Sequence, residues 1–435
     1  MRRFAREHAL AMGGALVAAA GLAWVSLGSF AWTDYDSEAR PAFDALAAGH
    51  LTRFLALAPA YGGSLVLRAP FALAPGLWGG GELAVYRLAA LPCLLAAVAL
   101  AVWLVARMRK RGASRLARAA TVGLCVASPV TMWALRYGHP EELLGAVLCV
   151  TALLVARSGR PLAAGVVLGL AVATKSWALL AVAPVLLALP GGIRSRTLCA
   201  AVAVAVGGAV LAPLLLSARG GFAAASTSAA ATGQLFGPMQ WWWWLGHVAS
   251  VGHGPGQVAF AGYRAPPGWL TGVTHPLIVA LSLPLGLLLL RRGRRRPNEA
   301  LALLALLLLV RCVLDPWNNI YYAVPFLTAL LSWETLRGRE PAGTLLATAA
   351  VYVSFRWLPL HVSPDVQSAL YLAWTLPLAA AIASWLYWPR AWMALSARAS
   401  SAMRYSTTSS SFGKWLSSSW PSSLSTTRSS MRTPS

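Results

Sequence analysis

An all-α, polytopic transmembrane helix bundle is the fold class that this sequence predicts, on three observations. Of its 435 residues 58% are hydrophobic and only 11% charged, too few to coat a water-soluble surface. The apolar residues fall into about a dozen blocks closed by Arg clusters, Gly, Pro or rare acids, which excludes both a soluble domain on one anchor and a disordered chain. The net charge of +23 comes from 36 Lys and Arg, nearly all Arg, sitting mostly at block ends as the positive-inside rule expects. That charge reports topology, so nucleic acid is not an expected partner.

The first apolar run, 9–31, follows MRRFAREH, is too long for a signal-peptide core and reads as a first span with the N-terminus in the cytoplasm. Further spans are expected at about 83–106, 119–135, 143–157, 161–174, 176–190, 197–217, 272–290, 300–314, 320–336, 342–357 and 366–388, giving twelve with both termini cytoplasmic. Residues 161–190 could instead form one tilted helix with Lys175 near its middle. Two short spans put RMRKRGASRLAR (107–118), RSGR (157–160), IRSR (193–196), RRGRRR (291–296) and RGR (337–339) all inside, whereas one span would turn the last three outward; two are therefore expected. The preference for Arg over Lys, with abundant Ala and Gly, points to a high-GC bacterial genome and a bacterial inner membrane.

With that topology nine of the thirteen acids fall on the extracytoplasmic side: Asp34, Asp36, Glu38, Asp44, Glu82, Glu141, Glu142, Asp315 and Asp365. Chemistry is expected on that face. The first long outward stretch carries WTDYDSEARPAFDALAAGH, where Ala42, Phe43, Leu46 and Ala47 form the apolar stripe of an interface helix. YGGSLVLRAPFALAPGLWGGG follows, apolar but expected to be broken by Pro70 and Pro75 and so re-entrant or interfacial. The second stretch, 219–271, holds four consecutive Trp, 241–244, which suit an interface belt better than a lipid-lined groove. Five Cys stand singly in apolar runs as packing residues. Residues 396–435 contain sixteen Ser and no acid; a bundle over 1–395 with a disordered, dispensable cytoplasmic tail is expected.

Four constellations could carry chemistry. Asp34 and Asp36 stand at i and i+2 where they could share a divalent cation, supply a general base, or cap the interface helix. GHPEE places His139, Glu141 and Glu142 at the next outward turn, as a site or as a helix start, just after Arg136. Lys175 is a lone ammonium that must meet a carboxylate or an anionic substrate. RCVLDPWNNIYY sets Asp315, Asn318 and Asn319 in an outward turn with Arg311 one helical turn inward. Motifs of soluble enzymes, such as a P-loop or a Rossmann glycine pattern, are missing from the sequence. If the four act together, they must converge on one cavity.

An acidic pair after the first span, an interface helix with Ala45, Leu46 and Gly49, a Tyr61 to Gly63 segment before RAPF (68–71), and the outward GHPEE and ATK turns resemble GT-C superfold glycosyltransferases. The sequence is most similar to actinobacterial members of glycosyltransferase family 87, the polyprenol-phosphate-mannose-dependent type. The resemblance covers about residues 10–390. It implies a cell-envelope enzyme that moves a mannose-like sugar, with inversion, from a polyprenol-phosphate donor to an extracytoplasmic lipid or glycan acceptor. It implies Asp34 or Asp36 as general base and Lys175 with Arg136 or His139 on the donor phosphate; beside them Glu141, Glu142, Asp315, Asn318 and Asn319 are expected as substrate-binding or supporting residues. The rival class, a transporter or lipid flippase, expects ionisable residues at mid-membrane and repeat symmetry, neither of which is evident.

Overall fold

The computed structural model describes residues 34–58, 62–217, 236–248, 262–291 and 298–388. The expected first span at 9–31 and the Ser-rich tail from 396 lie outside the described residues. Apart from Tyr387, the last residue of the final helix, the helices treated below belong to the compact unit that ends at Leu386. Their order is α1 (Arg40–Ala47), α2 (Leu51–Leu57), α3 (Ser64–Leu73), α4 (Glu82–Lys110), α5 (Arg115–Val126), α6 (Pro129–Arg136), α7 (Pro140–Arg157) and α8 (Pro161–Thr174). Then come α9 (Val182–Ala188), α10 (Ile193–Ser217), α11 (Leu270–Arg291), α12 (Glu299–Leu314), α13 (Ala323–Leu336), α14 (Ala342–Tyr352) and α15 (Pro364–Tyr387). A two-residue ribbon, β1 (His247–Val248) with antiparallel β2 (Arg264–Ala265), is the only sheet among the described residues. The fold is an all-α polytopic membrane bundle. Among the described residues five helical stretches are long and apolar enough to cross a membrane: Glu82–Lys110, Arg115–Arg136, Ile193–Ser217, Gly272–Arg291 and Pro364–Tyr387.

Burial sorts the bundle into layers. Leu301 to Leu309 are buried without interruption, and so is nearly all of α13, so α12 and α13 are buried on nearly every face and form the centre. The apolar windows of α10, α11 and α15 are only 17%, 28% and 33% buried, leaving their Leu and Val for lipid.

Helix ends follow local chemistry. Ser128 accepts a hydrogen bond from the Thr131 amide at 3.0 Å and Pro129 occupies the first helical position, so the 115–136 stretch is split into α5 and α6. The 161–190 run is broken where the two-helix reading put the break: Lys175 is extended (φ −151°, ψ 137°) between α8 and the 3₁₀ turn Ser176–Ala181. Pro70 does not interrupt α3, contrary to expectation. It sits in the second turn, where it removes one backbone donor and leaves the short helix continuous. The α1 stripe also departs in detail, for Ala42, Phe43 and Ala45 are buried and Ala47 is exposed.

Glycines allow two close approaches. On α8 Gly165 and Gly169, spaced as GxxxG, face α10, where an added Cβ would lie 2.6 Å from the Cys199 carbonyl oxygen and 2.6 Å from that of Ala203. Gly169→Leu is therefore expected to lower the thermal unfolding temperature of the purified protein strongly. Gly123→Ala, with nothing within 4 Å of the new methyl, should leave it unchanged or slightly raised. The second approach sets α3: the Gly63 amide donates to the Ala173 carbonyl at 2.7 Å, leaving no room for a side chain. Gly62 and Gly63 thus seat α3 beside the α8 end that carries Lys175.

Candidate active site

The site is built on the first turn of α7. Gly138 has φ +90°, and a Cβ there would meet the Tyr35 backbone nitrogen at 2.6 Å, so the GHPEE turn presses directly on the first loop. His139 is the residue before the helix, Pro140 its first position, and Glu141 and Glu142 fill the first turn, where the helix dipole favours carboxylates. Both Glu side chains are buried, at 0% and 1% exposure, so their charges must be met by neighbours.

Glu141 is the hub. Its Oε1 accepts from His139 Nδ1 at 2.8 Å and from Lys175 Nζ at 3.1 Å, and its Oε2 accepts from an Arg68 guanidinium nitrogen at 3.1 Å. Arg68, fully buried on α3, is held in turn by its Nε donating to the Ala89 carbonyl at 2.9 Å. Glu142 accepts from Trp177 Nε1 at 3.2 Å, stands 3.9 Å from Lys175, and forms an ion pair with Arg311 at 3.7 Å. Arg311 reaches inward from α12 over the rings of Tyr322 (4.2 Å) and Trp177 (5.2 Å).

Asp34 is the outer end of this network. Its Oδ2 accepts from His139 Nε2 at 2.8 Å and from the Tyr321 hydroxyl at 3.3 Å, while the Tyr321 ring stacks on His139 at 4.0 Å. The Asp34 side chain is 40% exposed, against 17% for Lys175 and 5% for His139, so it is the most accessible of the three. Its other oxygen, Oδ1, has no hydrogen bond among the described residues.

Burial alone would strip His139 of its proton. The Glu141 charge and the hydrogen bonds to Asp34 and Glu141 outweigh it and push the imidazole up to about 9, so at neutral pH it is an imidazolium joining two carboxylates. Burial likewise acts against the charge on Lys175, but Glu141 and Glu142 more than offset it and hold the ammonium above its usual range. Glu38 is raised, chiefly by burial and against the pull of His139 and Lys175, which places a further carboxyl in the same field.

A pH dependence follows. His139 has a folded pKa above its unfolded value, so its contribution is complete below pH ~6.5 and is lost as pH rises through about 9. Thermal unfolding measured across pH 6 to 10 should show stability falling between roughly pH 7 and 9, with the fall removed in His139→Gln.

Of the residues singled out in the sequence, Asp34, His139, Glu141, Glu142 and Lys175 lie in one contact network. Among the described residues Asp36 faces Arg40 at 3.7 Å, and Arg40 also pairs with Glu82 at 2.9 Å. The two first-loop acids thus have different partners among the described residues. Among the described residues no group of three or more His, Cys, Asp and Glu is arranged to hold a metal ion. Arg136 is exposed and lies over the Trp133 ring at 4.8 Å, apart from the network.

Among the described residues the DPWNN turn meets the network at Arg311, whose carbonyl accepts from the Asp315 amide at 2.8 Å, and at Tyr322, whose amide donates to the Asn319 carbonyl at 2.9 Å. Asp315 stands 3.4 Å from His275 and caps the Trp317 amide, Asn318 donates to the Met239 carbonyl at 2.7 Å, and Asn319 accepts from the Ile320 amide at 2.7 Å. Of the four Trp, Trp242 and Trp243 are tied by their indole nitrogens to the Leu314 carbonyl and to Asp365, while Trp241 and Trp244 stay exposed.

Sequence reasoning counted Glu38 among the outward acids and Arg68 in the RAPF segment without giving either a role, and did not single out Trp177 or Tyr321. Arg68 carried a usable signal, an isolated cation inside an apolar helix, by the same logic that singled out Lys175. Tyr321 and Trp177 carried none, because a ring in an apolar run reads as packing.

Residues 59–316, more than half of the chain, match the family model of glycosyltransferase family 87. No curated protein and no solved structure matches the chain. The matched stretch begins beyond Asp34 but takes in Arg68, the GHPEE turn, Lys175 and Arg311, which make up the buried part of the network. With the apolar bundle around them, these residues leave no ambiguity of class: the chain belongs to glycosyltransferase family 87 and is a membrane glycosyltransferase.

Proposed function

We propose that the enzyme, a glycosyltransferase of GT-C type, transfers a mannose-like sugar from a polyprenol-phosphate donor to a lipid or glycan acceptor on the extracytoplasmic face. The transfer inverts the anomeric centre, with Asp34 as general base. The observation that carries this reading is that Asp34 is the half-exposed end of an otherwise buried network of carboxylates and cations. Free Oδ1 takes the proton of an acceptor hydroxyl while Oδ2 stays fixed by His139 and Tyr321. The hydroxyl oxygen then bonds to the anomeric carbon, and the bond to the phosphate oxygen breaks with its electron pair leaving on the lipid phosphate. Lys175, 17% exposed, and His139 supply the counter-charge for that phosphate. The donor's tail stays in the bilayer, so the apolar outer helices serve binding as well as insertion.

The test is a proteoliposome assay with polyprenol-phosphate mannose labelled in the sugar. Label should pass to an acceptor with release of polyprenol phosphate. Lys175→Met should raise the donor KM by roughly tenfold or more, as expected when a charge-assisted phosphate contact is lost. Label that crosses the membrane with its anomeric bond intact would identify a flippase and overturn the proposal.

A further inference from the structure

A second basic site lies at the other end of the bundle. A cavity of about 220 Å³ is lined by Trp103, Arg107, Arg111, Arg157, Ser158 and Asn298, with Leu154 and Leu336 closing its apolar side. Three of its lining residues are Arg and none is acidic. The stretch leading into Asn298, RRGRRRP, adds no acid in sequence either.

Two of the three guanidiniums are fixed. Arg111 donates to the Leu336 carbonyl at 2.6 Å and the Thr335 carbonyl at 3.3 Å. Arg157 donates to Asn298 Oδ1, and the Asn298 amide donates onward to the Leu336 carbonyl at 3.1 Å. Asn298 holds a left-handed backbone (φ 72°) to make this bridge, a conformation that Asn tolerates better than most residues. Arg107 lies over the Trp103 ring at 5.1 Å, and no hydrogen bond or ion pair of its guanidinium is found among the described residues. Three like charges gathered around one cavity repel each other unless an anion joins them.

Placement narrows the anion. Arg157 ends the helix whose first turn carries Glu141, sixteen residues and so roughly 24 Å away at the α-helical rise. That is close to the ~30 Å hydrocarbon thickness, so the cavity lies at the headgroup level opposite the Asp34 network. The charge pattern assigns that end to the cytoplasm. An indole, apolar walls and a fork of guanidiniums suit a phosphate carried on a lipid.

We propose that this cavity binds a phosphate group, presented by an anionic phospholipid of the leaflet opposite the transfer site. The inference is independent of the donor and mechanism proposed above. Native mass spectrometry of the full-length protein, purified in detergent and supplied with phosphatidylglycerol or phosphatidylcholine, reads it directly. The wild type should retain phosphatidylglycerol in preference to phosphatidylcholine. Arg107→Gln should weaken that retention about fivefold and Arg107→Gln with Arg157→Gln by more than tenfold, following the contribution of about 1 kcal/mol per surface cation. Arg115→Gln, exposed near the same end, should change nothing. The single variant keeps the test usable if the double one does not fold, because Arg107 touches only a ring.

Inorganic phosphate distinguishes the source. Phosphatidylglycerol that resists millimolar inorganic phosphate identifies a lipid site, whereas displacement, or thermal stabilisation by inorganic phosphate alone that Arg107→Gln removes, identifies a free-phosphate site. Equal retention of both lipids, or equal phosphatidylglycerol retention by wild type and Arg107→Gln, overturns the proposal.

Discussion

Asp34→Asn lowers sugar transfer by roughly 10²-fold or more and leaves the unfolding temperature close to that of the wild type. Asn keeps the size of the side chain and one oxygen that can accept from His139 Nε2 and the Tyr321 hydroxyl, so the outer end of the network stays in place. What it removes is the basicity needed to take a proton from an acceptor hydroxyl. The loss should fall on kcat, with the donor KM little changed, because Asp34 does not counter the donor phosphate. Asp36→Asn is the matched control: that carboxylate faces Arg40 in a half-exposed cluster, and its loss should change transfer by less than about tenfold. Turnover of labelled polyprenol-phosphate mannose, measured for both variants in the same vesicles, decides the assignment. A full-activity Asp34→Asn enzyme would exclude Asp34 as the base and direct attention to Glu38, whose carboxyl lies in the same field.

Much of the architecture was legible because membrane insertion writes itself coarsely into sequence. Apolar blocks, Arg at their ends and Ser, Pro or Gly at breaks gave the helices from Glu82 to Tyr387, and the charge argument put the interruption at Lys175 where the backbone is extended. Details that depend on tertiary contact were not legible. Pro70 reads as a breaker, yet α3 continues through it to Leu73. The site was readable as a set of rare polar residues, since an apolar chain rarely places an acid or cation by accident. Its wiring was not. Sequence spacing treats Asp34 and Asp36 as equivalent, and only the packing of Gly138 against Tyr35 brings the first to His139 while the second turns to Arg40. Arg136 looks as suitable for a phosphate as Lys175, yet it ends α6 on a face where Trp133 is its partner.

Glu141→Gln is expected to cost about 3–5 kcal/mol of stability, far more than any surface ion pair, and to reduce the yield of folded protein. Glu141 is fully buried and receives His139, Lys175 and Arg68 at 2.8, 3.1 and 3.1 Å. A neutral amide leaves these three donors with one acceptor oxygen among them and turns an NH₂ group toward a cation, so positive charges remain in a low-dielectric site. Arg68 cannot swing to water, because it is enclosed by α3 and tied to the Ala89 carbonyl. His139 loses the larger part of what keeps it protonated, and with it the grip on Asp34, so transfer should fall even in the protein that does fold. Asp365→Asn provides the scale. Its pair with Arg264 has the same short contact, 3.0 Å, but Asp365 is 49% exposed, and water replaces the lost charge at a cost of about 1 kcal/mol or less. Thermal unfolding in one detergent compares the two. A Glu141→Gln shift no larger than that of Asp365→Asn would mean that the buried ion cluster is not what holds α3, α7 and the Lys175 turn together, and that apolar packing among these helices carries the site by itself.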